Sequence, residues 1–220
     1  MEIKVLKDIL GANEQMAERN RQLLDSNQVF AVNLMSSPGA GKTSLILETI
    51  NRLKGKTRVG VIEGDVSSSL DAELIAKEGV PVIQINTGGG CHLDANMLSN
   101  ALDNFPLQDI ELLLIENVGN LICPAGFALG EDLNVLISSV PEGDDKPHKY
   151  PVMFSKAHLV VLNKIDLLPY VLFDLPAFTE AVKGLNSRVE IFEVSCKTGQ
   201  GIERWISWLS SRLNKRPSTS

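Results

Sequence analysis

An apolar run from Val29 to Met35 stops at Ser36-Ser37-Pro38-Gly39-Ala40-Gly41-Lys42-Thr43-Ser44, and a helical pattern, SLILETINRLK, follows at once. That order of strand, glycine-containing loop and helix constrains the chain more than any other stretch. Gly39 and Gly41 open backbone conformations closed to other residues, so the amides from Gly39 through Ala40 to Ser44 can turn inward on an anion. A helix beginning near Lys42 adds the positive end of its dipole. Lys42 then reaches the terminal phosphates of a nucleotide, and the Thr43 hydroxyl becomes a magnesium ligand. One position departs from the G-x-x-x-x-G-K-[ST] pattern, because Ser36 stands where the first glycine is usual. The alternative is a helix N-terminus that merely contains Gly-Lys-Thr.

A chain of 220 residues forms one domain or two small ones, and a single domain of that length buries about 70% of its unfolded surface. The formal charge of −6, with no long run of Lys or Arg, argues against a nucleic-acid partner. The N-terminal stretch MEIKVLKDILGANEQ carries charge throughout and lacks the apolar centre of a signal peptide. No uncharged apolar run approaches the roughly 18 residues of a membrane helix. The expectation is a cytoplasmic protein with no membrane contact, whose three cysteines, Cys91, Cys123 and Cys196, stay reduced.

Ile3, Leu6, Ile9 and Leu10 share one helical face, and Met16, Leu23 and Leu24 follow after Gly11 and Asn13. Residues 1–28 therefore read as one or two amphipathic helices packed on the domain or on a partner. Beyond them, apolar runs recur at Val29–Met35, Arg58–Ile62, Val80–Ile85, Ile110–Ile115, Asn134–Val140, His158–Asn163 and Val189–Val194, mostly with helical stretches between. The runs are continuous, as in strands covered by helices on both faces of a parallel sheet. Residues 29–214 are thus expected to form an α/β doubly wound domain with its ligand at the carboxyl ends of the strands, and 215–220 a disordered tail.

The unusual polar residues fall at those ends. Asp65 and Asp71, after the second strand, lie where a carboxylate can hold magnesium or a water of its shell. Asp71 is equally read as an acid favouring a helix N-terminus. Glu116 closes the buried run LLLIE, and burying a carboxylate there without a cation is costly. Asn163-Lys164-Ile165-Asp166 follows another apolar strand, and this N-K-x-D spacing selects guanine. The Asp166 carboxylate accepts from both the ring N–H and the exocyclic amine, a donor pair adenine lacks. Ser195-Cys196-Lys197, after the last strand, occupies the place of a loop that backs the base, with Cys196 as a small apolar residue.

Thr87-Gly88-Gly89-Gly90 leads into Cys91 and His92, and Cys123 lies just beyond a neighbouring strand's end. Thiolate plus imidazole suits nickel or zinc. Three ligands leave a tetrahedron open for a water or for a donor from a second copy of the chain. Spacing alone leaves a buried, purely structural Cys123 as the alternative.

The set SSPGAGKTS, EGDV, NTGGGCHLDA, LIENVGNLICP, PEGDDKPHKYP, NKIDL and SCKTG resembles the HypB family of hydrogenase nickel-incorporation GTPases, of one class with the urease accessory GTPase. The resemblance spans about Val29 to Gly201. It implies a P-loop NTPase G domain that binds GTP with magnesium and forms a homodimer on nucleotide binding. It also implies delivery of nickel to the precursor of the hydrogenase large subunit with a small zinc-binding partner, HypA. On it, Lys42, Thr43, Asp71 and Glu116 serve phosphate and magnesium, with Asp65 nearby. Asn163, Lys164 and Asp166 serve guanine, and Cys91, His92 and Cys123 hold nickel or zinc. Gly89-Gly90 stand where the family has a lysine or glutamate beside the metal cysteine, and the sequence carries neither C-x-x-C-G-C nor a histidine-rich tract. Nickel storage is therefore not implied.

The resulting expectation is a switch: GTP with magnesium orders the loops bearing Asp71, Cys91 and Glu116, and hydrolysis releases them. No Gln or Arg is evident to orient the attacking water, so turnover should be slow. A small-molecule kinase, or a metal-binding assembly module with a structural nucleotide site, are the competing readings.

Overall fold

Strand β1 (Phe30–Ser36) is buried along its whole length, and its side chains divide between the two faces of a sheet. Phe30, Val32 and Leu34 enter one core, Ala31 a second and Met35 a third. A strand with no wet face has no reason to alternate apolar and polar residues, which is why its sequence is a continuous apolar run. The computed structural model describes residues 2–66 and 69–215, the side chains of residues 2–10 excepted. Six further strands follow: β2 (Val59–Asp65), β3 (Val82–Asn86), β4 (Leu112–Glu116), β5 (Leu133–Ser139), β6 (Leu159–Asn163) and β7 (Glu190–Glu193). They form one sheet in the order β3-β2-β4-β1-β5-β6-β7, every neighbouring pair parallel.

All seven expected strands are present, with shifted ends. The third starts at Val82, after Pro81, which has no N–H to give a ladder. The fourth starts at Leu112, because a 3₁₀ turn at Leu107–Asp109 precedes it. The fifth ends at Ser139, where Pro141 and a capping box between Ser139 and Glu142 begin another 3₁₀ turn.

Among the described residues eight helices cover the sheet: α1 (Glu2–Ser26), α2 (Lys42–Leu53), α3 (Leu70–Ala76), α4 (Ala95–Leu102), α5 (Lys146–Lys149), α6 (Pro151–Lys156), α7 (Leu175–Leu185) and α8 (Ile202–Leu213). Helices α2, α3 and α8 pack on one face through Leu45, Ile50, Ile75 and Trp205. The opposite face is covered by α1 and α4 through Leu24, Leu98 and Leu102, and by α6 and α7 through Phe154 and Phe178. The fold class read from the sequence, a doubly wound parallel α/β domain, is the one observed. Because β1 sits between β4 and β5, the chain leaves it in opposite directions on either side, and the crevice at its carboxyl end is where such folds bind ligands.

The N-terminal stretch is one helix of 25 residues running through Gly11 and Asn13. A glycine inside a helix costs about 1 kcal/mol relative to alanine. Docking offsets that cost, since Asn13, Ala17, Asn20 and Leu24, spaced four, three and four apart, face the domain, and Ala17, Asn20 and Leu24 are buried. The proposed face of Ile3, Leu6, Ile9 and Leu10 and the tail from residue 216 lie outside the described residues, and Lys215 ends a turn after α8. Among the described residues no helix is long and apolar enough to cross a membrane.

Trp205 joins α8 to α2: its ring is fully buried and its indole N–H donates to the Thr49 hydroxyl at 2.8 Å. Trp205→Ala should cost about 3–5 kcal/mol, read as a lower urea midpoint with an unchanged slope.

Candidate functional site

The loop after β1 turns through two glycines with left-handed backbone, Gly39 at φ 77° and Gly41 at φ 102°. Gly41 is the N-terminal cap of α2 and makes no side-chain cap, so the first amides of that helix face the crevice. A methyl group at Gly41 would stand 2.3 Å from the Asn163 carboxamide nitrogen. That contact is the first sign that the N-K-x-D stretch and the phosphate loop form one unit. The Asn163 side chain donates to the Ala40 carbonyl at 2.9 Å, and Lys164 Nζ donates to the Gly39 carbonyl at 2.7 Å. Asn163 Oδ1 in turn accepts from the Lys164 and Cys196 amides at 2.8 and 3.2 Å.

Asp166 is left for other work. Its Oδ1 accepts from the Ser195 hydroxyl at 2.6 Å, and that hydroxyl accepts from the Thr198 amide at 3.1 Å, which fixes the carboxylate's orientation. Lys197 is exposed on the same turn. Cys196 packs against the core, and burial pushes its thiol up to about 12, so it is a neutral filler there.

Lys42, Thr43, Asp65, Asp71, Glu116 and Gly119 all line one open cleft of about 460 Å³, a volume typical of small-ligand sites. Lys42 is buried and its ammonium donates to the Ser36 hydroxyl at 3.0 Å. The serine at the position expected for glycine thus holds the lysine in place. Thr43 Oγ1 donates to Glu116 Oε1 at 2.9 Å, joining the loop to the end of β4. Asp71 sits in the first turn of α3 and also borders the cleft. A further tie comes from Glu142, whose carboxylate meets the Ser37 hydroxyl and accepts from the Ser139 amide at 2.9 Å.

Glu63, within β2, was not anticipated. It pairs in register with Glu116 across β2 and β4, both are buried, and Glu63 Oε2 and Glu116 Oε2 have no hydrogen-bond partner. Burial first, and then neighbouring carboxylates, raise Glu63 to about 8. Burial raises Glu116 to about 7 against the pull of Lys42 and Thr43. Burial also lowers Lys42, with the surrounding carboxylates opposing the shift. One lysine among these acids leaves two orphaned carboxylate oxygens, which a divalent cation would satisfy. The signal in the sequence was a glutamate inside an apolar run, VGVIEGD, where the eye takes it for a strand boundary.

Beside this cleft, the loops after β3 and β4 bring Cys91, His92 and Cys123 together. Their donor atoms all lie within 4.8 Å of one another, with Cys91 Sγ 3.5 Å from His92 Nδ1. Gly88 and Gly89 both have positive φ, which lets the loop fold back so that the Thr87 hydroxyl donates to the Gly90 carbonyl at 2.8 Å. The His92 ring lies against Phe127 with centroids 4.0 Å apart, and burial lowers its pKa, keeping a lone pair free for a metal. The Asn120 carboxamide accepts from the Ile122 and Cys123 amides at 2.7 and 3.3 Å, which shapes the turn presenting the second thiol. Hydrogen bonding with the Cys91 thiol, then burial, raises Cys123, so that thiol holds its proton.

A nucleotide-binding domain of the CobW/HypB/UreG type matches residues 30–193. The chain belongs to the CobW/HypB/UreG family. It is 47% identical to hydrogenase maturation factor HypB of Escherichia coli K12, over 96% of this chain and 72% of that protein. The crystal structure of HypB from Archaeoglobus fulgidus matches with a TM-score of 0.88 at 43% identity, covering 93% of this chain and all of that one (100%). HypB from Helicobacter pylori, solved in complex with nickel, gives 0.88 at 35% identity, covering 95% and 99%. The HypB resemblance read from the motifs therefore stands, and with it a place among hydrogenase maturation factors.

In this HypB-type chain the raised carboxylates carry a stability consequence. An unfolded glutamate titrates near its ordinary value of 4.5, while folded Glu63 titrates near 8. Between those values the folded state binds a proton that the unfolded state has lost, so stability falls as pH rises. The metal- and nucleotide-free chain should unfold at lower urea at pH 8 than at pH 6, and Glu63→Gln should flatten that slope.

Proposed function

We propose that the chain binds GTP with magnesium, hydrolyses it slowly, and couples the nucleotide's state to a nickel or zinc ion held by Cys91, His92 and Cys123 during hydrogenase maturation. The observation that carries this reading is contact between the two sites on both sides. On one side Leu93, next to His92, packs on the backbone of Gly64 at the cleft, where an added methyl would lie 2.7 Å from its side chain. Leu93 N also donates to Asn117 Oδ1 at 3.1 Å, directly beyond Glu116. The Thr87 amide donates to the Asp65 carbonyl at 2.9 Å, tying the start of the thiol loop to the same strand end. On the other side Gly119, on the way to Cys123, meets Pro38 of the phosphate loop closely enough that a methyl would stand at 3.0 Å. A shift in either cleft loop is felt at a metal donor, because close-packed contacts do not deform freely.

Within the cleft, Lys42 neutralises phosphate charge and the loop amides from Gly39 to Ser44 hold the phosphate oxygens. Thr43, Glu116 and Glu63 or Asp65 would hold magnesium, directly or through water. Bound there, the cation supplies charge neutralisation between phosphates and carboxylates. Asp166 reads the guanine, and Asn163 and Lys164 keep its loop tied to the phosphate loop. Among the described residues lining the cleft there is no Gln or Arg, which fits a slow hydrolase that a partner or second subunit accelerates. Nickel is the cargo. The Helicobacter pylori relative was solved with that metal, and a HypA-type metallochaperone and the hydrogenase large-subunit precursor are the proposed donor or recipient, with a homodimer as the working form.

Two measurements test this. Asp166→Asn should weaken GTP and favour xanthosine triphosphate, since the amide donates where the carboxylate accepts; unchanged guanine preference would remove the base assignment. Nickel titration with a non-hydrolysable GTP analogue, with GDP and without nucleotide should give three different affinities. Identical curves would reduce the chain to a metal-binding module with an independent nucleotide site.

A further inference from the structure

The three proposed metal donors come from loops that follow β3 and β4, and those strands are not neighbours, since β2 lies between them. No ladder of the sheet therefore sets the distance from Cys91 and His92 to Cys123. Asn117 ties the two loops on the side facing the nucleotide cleft, through the Leu93 amide. On the far side the tie is made by α1. Asn13 accepts from the Ala95 amide at 2.9 Å and donates to the Ala128 carbonyl at 2.9 Å. Two helical turns further on, Asn20 donates to the Ala95 carbonyl at 2.8 Å and to the Leu129 carbonyl at 3.0 Å.

Each carboxamide thus grips both loops at once. Ala95 lies three residues after His92, and Ala128 adjoins Phe127, whose ring lies against the His92 imidazole. The fit is tight, because a methyl at Gly130 would stand 2.5 Å from the Ala17 carbonyl of the helix. Arg21 anchors the helix beyond this point through Asp132 at 2.8 Å. Apolar side chains alone would dock a helix here. Two amides, each bonded to backbone on both metal-bearing loops, fix their separation as well, and Asn20 does so fully buried.

We propose that Asn13 and Asn20 are positioning residues of the metal site, holding the Cys91-His92 loop and the Cys123 loop at the spacing an ion requires. The proposal rests on the metal assignment made above. Groups that orient metal ligands from behind are worth about 10–100-fold in affinity, and these two act through backbone at both ligand loops.

The test uses the full chain with nickel(II) for affinity, by competition with a chromogenic chelator, and with cobalt(II) for its thiolate charge-transfer and d–d bands. Asn13→Ala, at a partly exposed position, should weaken nickel binding about tenfold or more and shift the cobalt bands, with GTP-analogue affinity within twofold of the parent. Asn20→Ala should do the same if it folds, and Asn13→Ala carries the test if it does not. Trp205→Phe, which loosens α8 on the opposite face of the sheet, reports what general destabilisation does and should leave the bands in place. Parent-like affinity and bands in folded Asn13→Ala would overturn the proposal, as would equal shifts in Trp205→Phe. Cys123→Ala run alongside separates the two claims: nickel binding indifferent to that change would remove the metal assignment itself, and the positioning role with it.

Discussion

Two buried carboxylates, Glu63 and Glu116, stand side by side at the carboxyl edge of the sheet with one oxygen of each unpaired and a single buried lysine nearby. An apolar interior does not tolerate that arrangement cheaply, since a buried polar group without a partner costs about 1–3 kcal/mol and a buried charge more. The cleft carboxylates meet the cost by shifting protons, which is why Glu63 titrates near 8 and Glu116 near 7. A triphosphate alone would worsen the repulsion. On the proposed reading a triphosphate arriving with a divalent cation would reverse it, because the cation would give both orphaned oxygens a partner and Lys42 would face phosphate. On that reading the edge of the sheet suits the two ligands together.

The same edge explains how a second site can sit beside the first without being part of it. Strands β2 and β4 end in the cleft, while the loops that leave β3 and β4 bend away to form the thiol-imidazole cluster. Gly64 has no side chain because Leu93 occupies the space it would need, and Gly119 is equally bare against Pro38. Those two glycines let the nucleotide loops and the metal loops touch backbone to side chain. Hydrogen bonds from Thr87 to Asp65 and from Leu93 to Asn117 run alongside the packing. Asn117 continues inward through Asn33 at 3.2 Å to Asn134 at 2.9 Å, a buried amide ladder crossing β4, β1 and β5. Fully satisfied ladders of this kind specify one arrangement of the strands they cross.

Much of this was legible in the sequence because burial on both faces leaves a mark: seven apolar runs of strand length gave seven strands. The motifs were legible because their chemistry is local, a glycine pair for the loop and a carboxylate at a fixed offset for a base. What escaped depends on distance in sequence. Glu63 looks like an interruption until Glu116, in register on the next strand, shows that two carboxylates share one space. Asn163 and Lys164 read as part of a base-recognition motif, yet their side chains hold the phosphate loop's carbonyls, more than 120 positions earlier. Asn13, beside Gly11, looks like a helix breaker. It is a helical residue whose carboxamide closes onto loops some 80 and 115 positions away. Polar residues that bond distant backbone carry no periodicity, so pattern reading passes over them.

The donor count bears on what the proposed metal site is for. Two thiols and an imidazole complete three corners of a tetrahedron, and structural zinc sites close the fourth with protein. Here Cys91 is exposed and the Cys123 thiol keeps its proton, so binding an ion there must release a proton and leave a face of the ion reachable. A closed four-thiolate cage would hold nickel at the cost of ever giving it up. An open three-donor site on two loops with separate anchors allows a fourth ligand to be supplied by whatever receives the metal, or by a second copy of the chain. On the proposed reading, the nucleotide need not break any metal bond to trigger transfer. Moving one loop against the other by a fraction of an ångström degrades the fit of three short bonds at once, and an exposed donor on the receiving protein then competes on favourable terms.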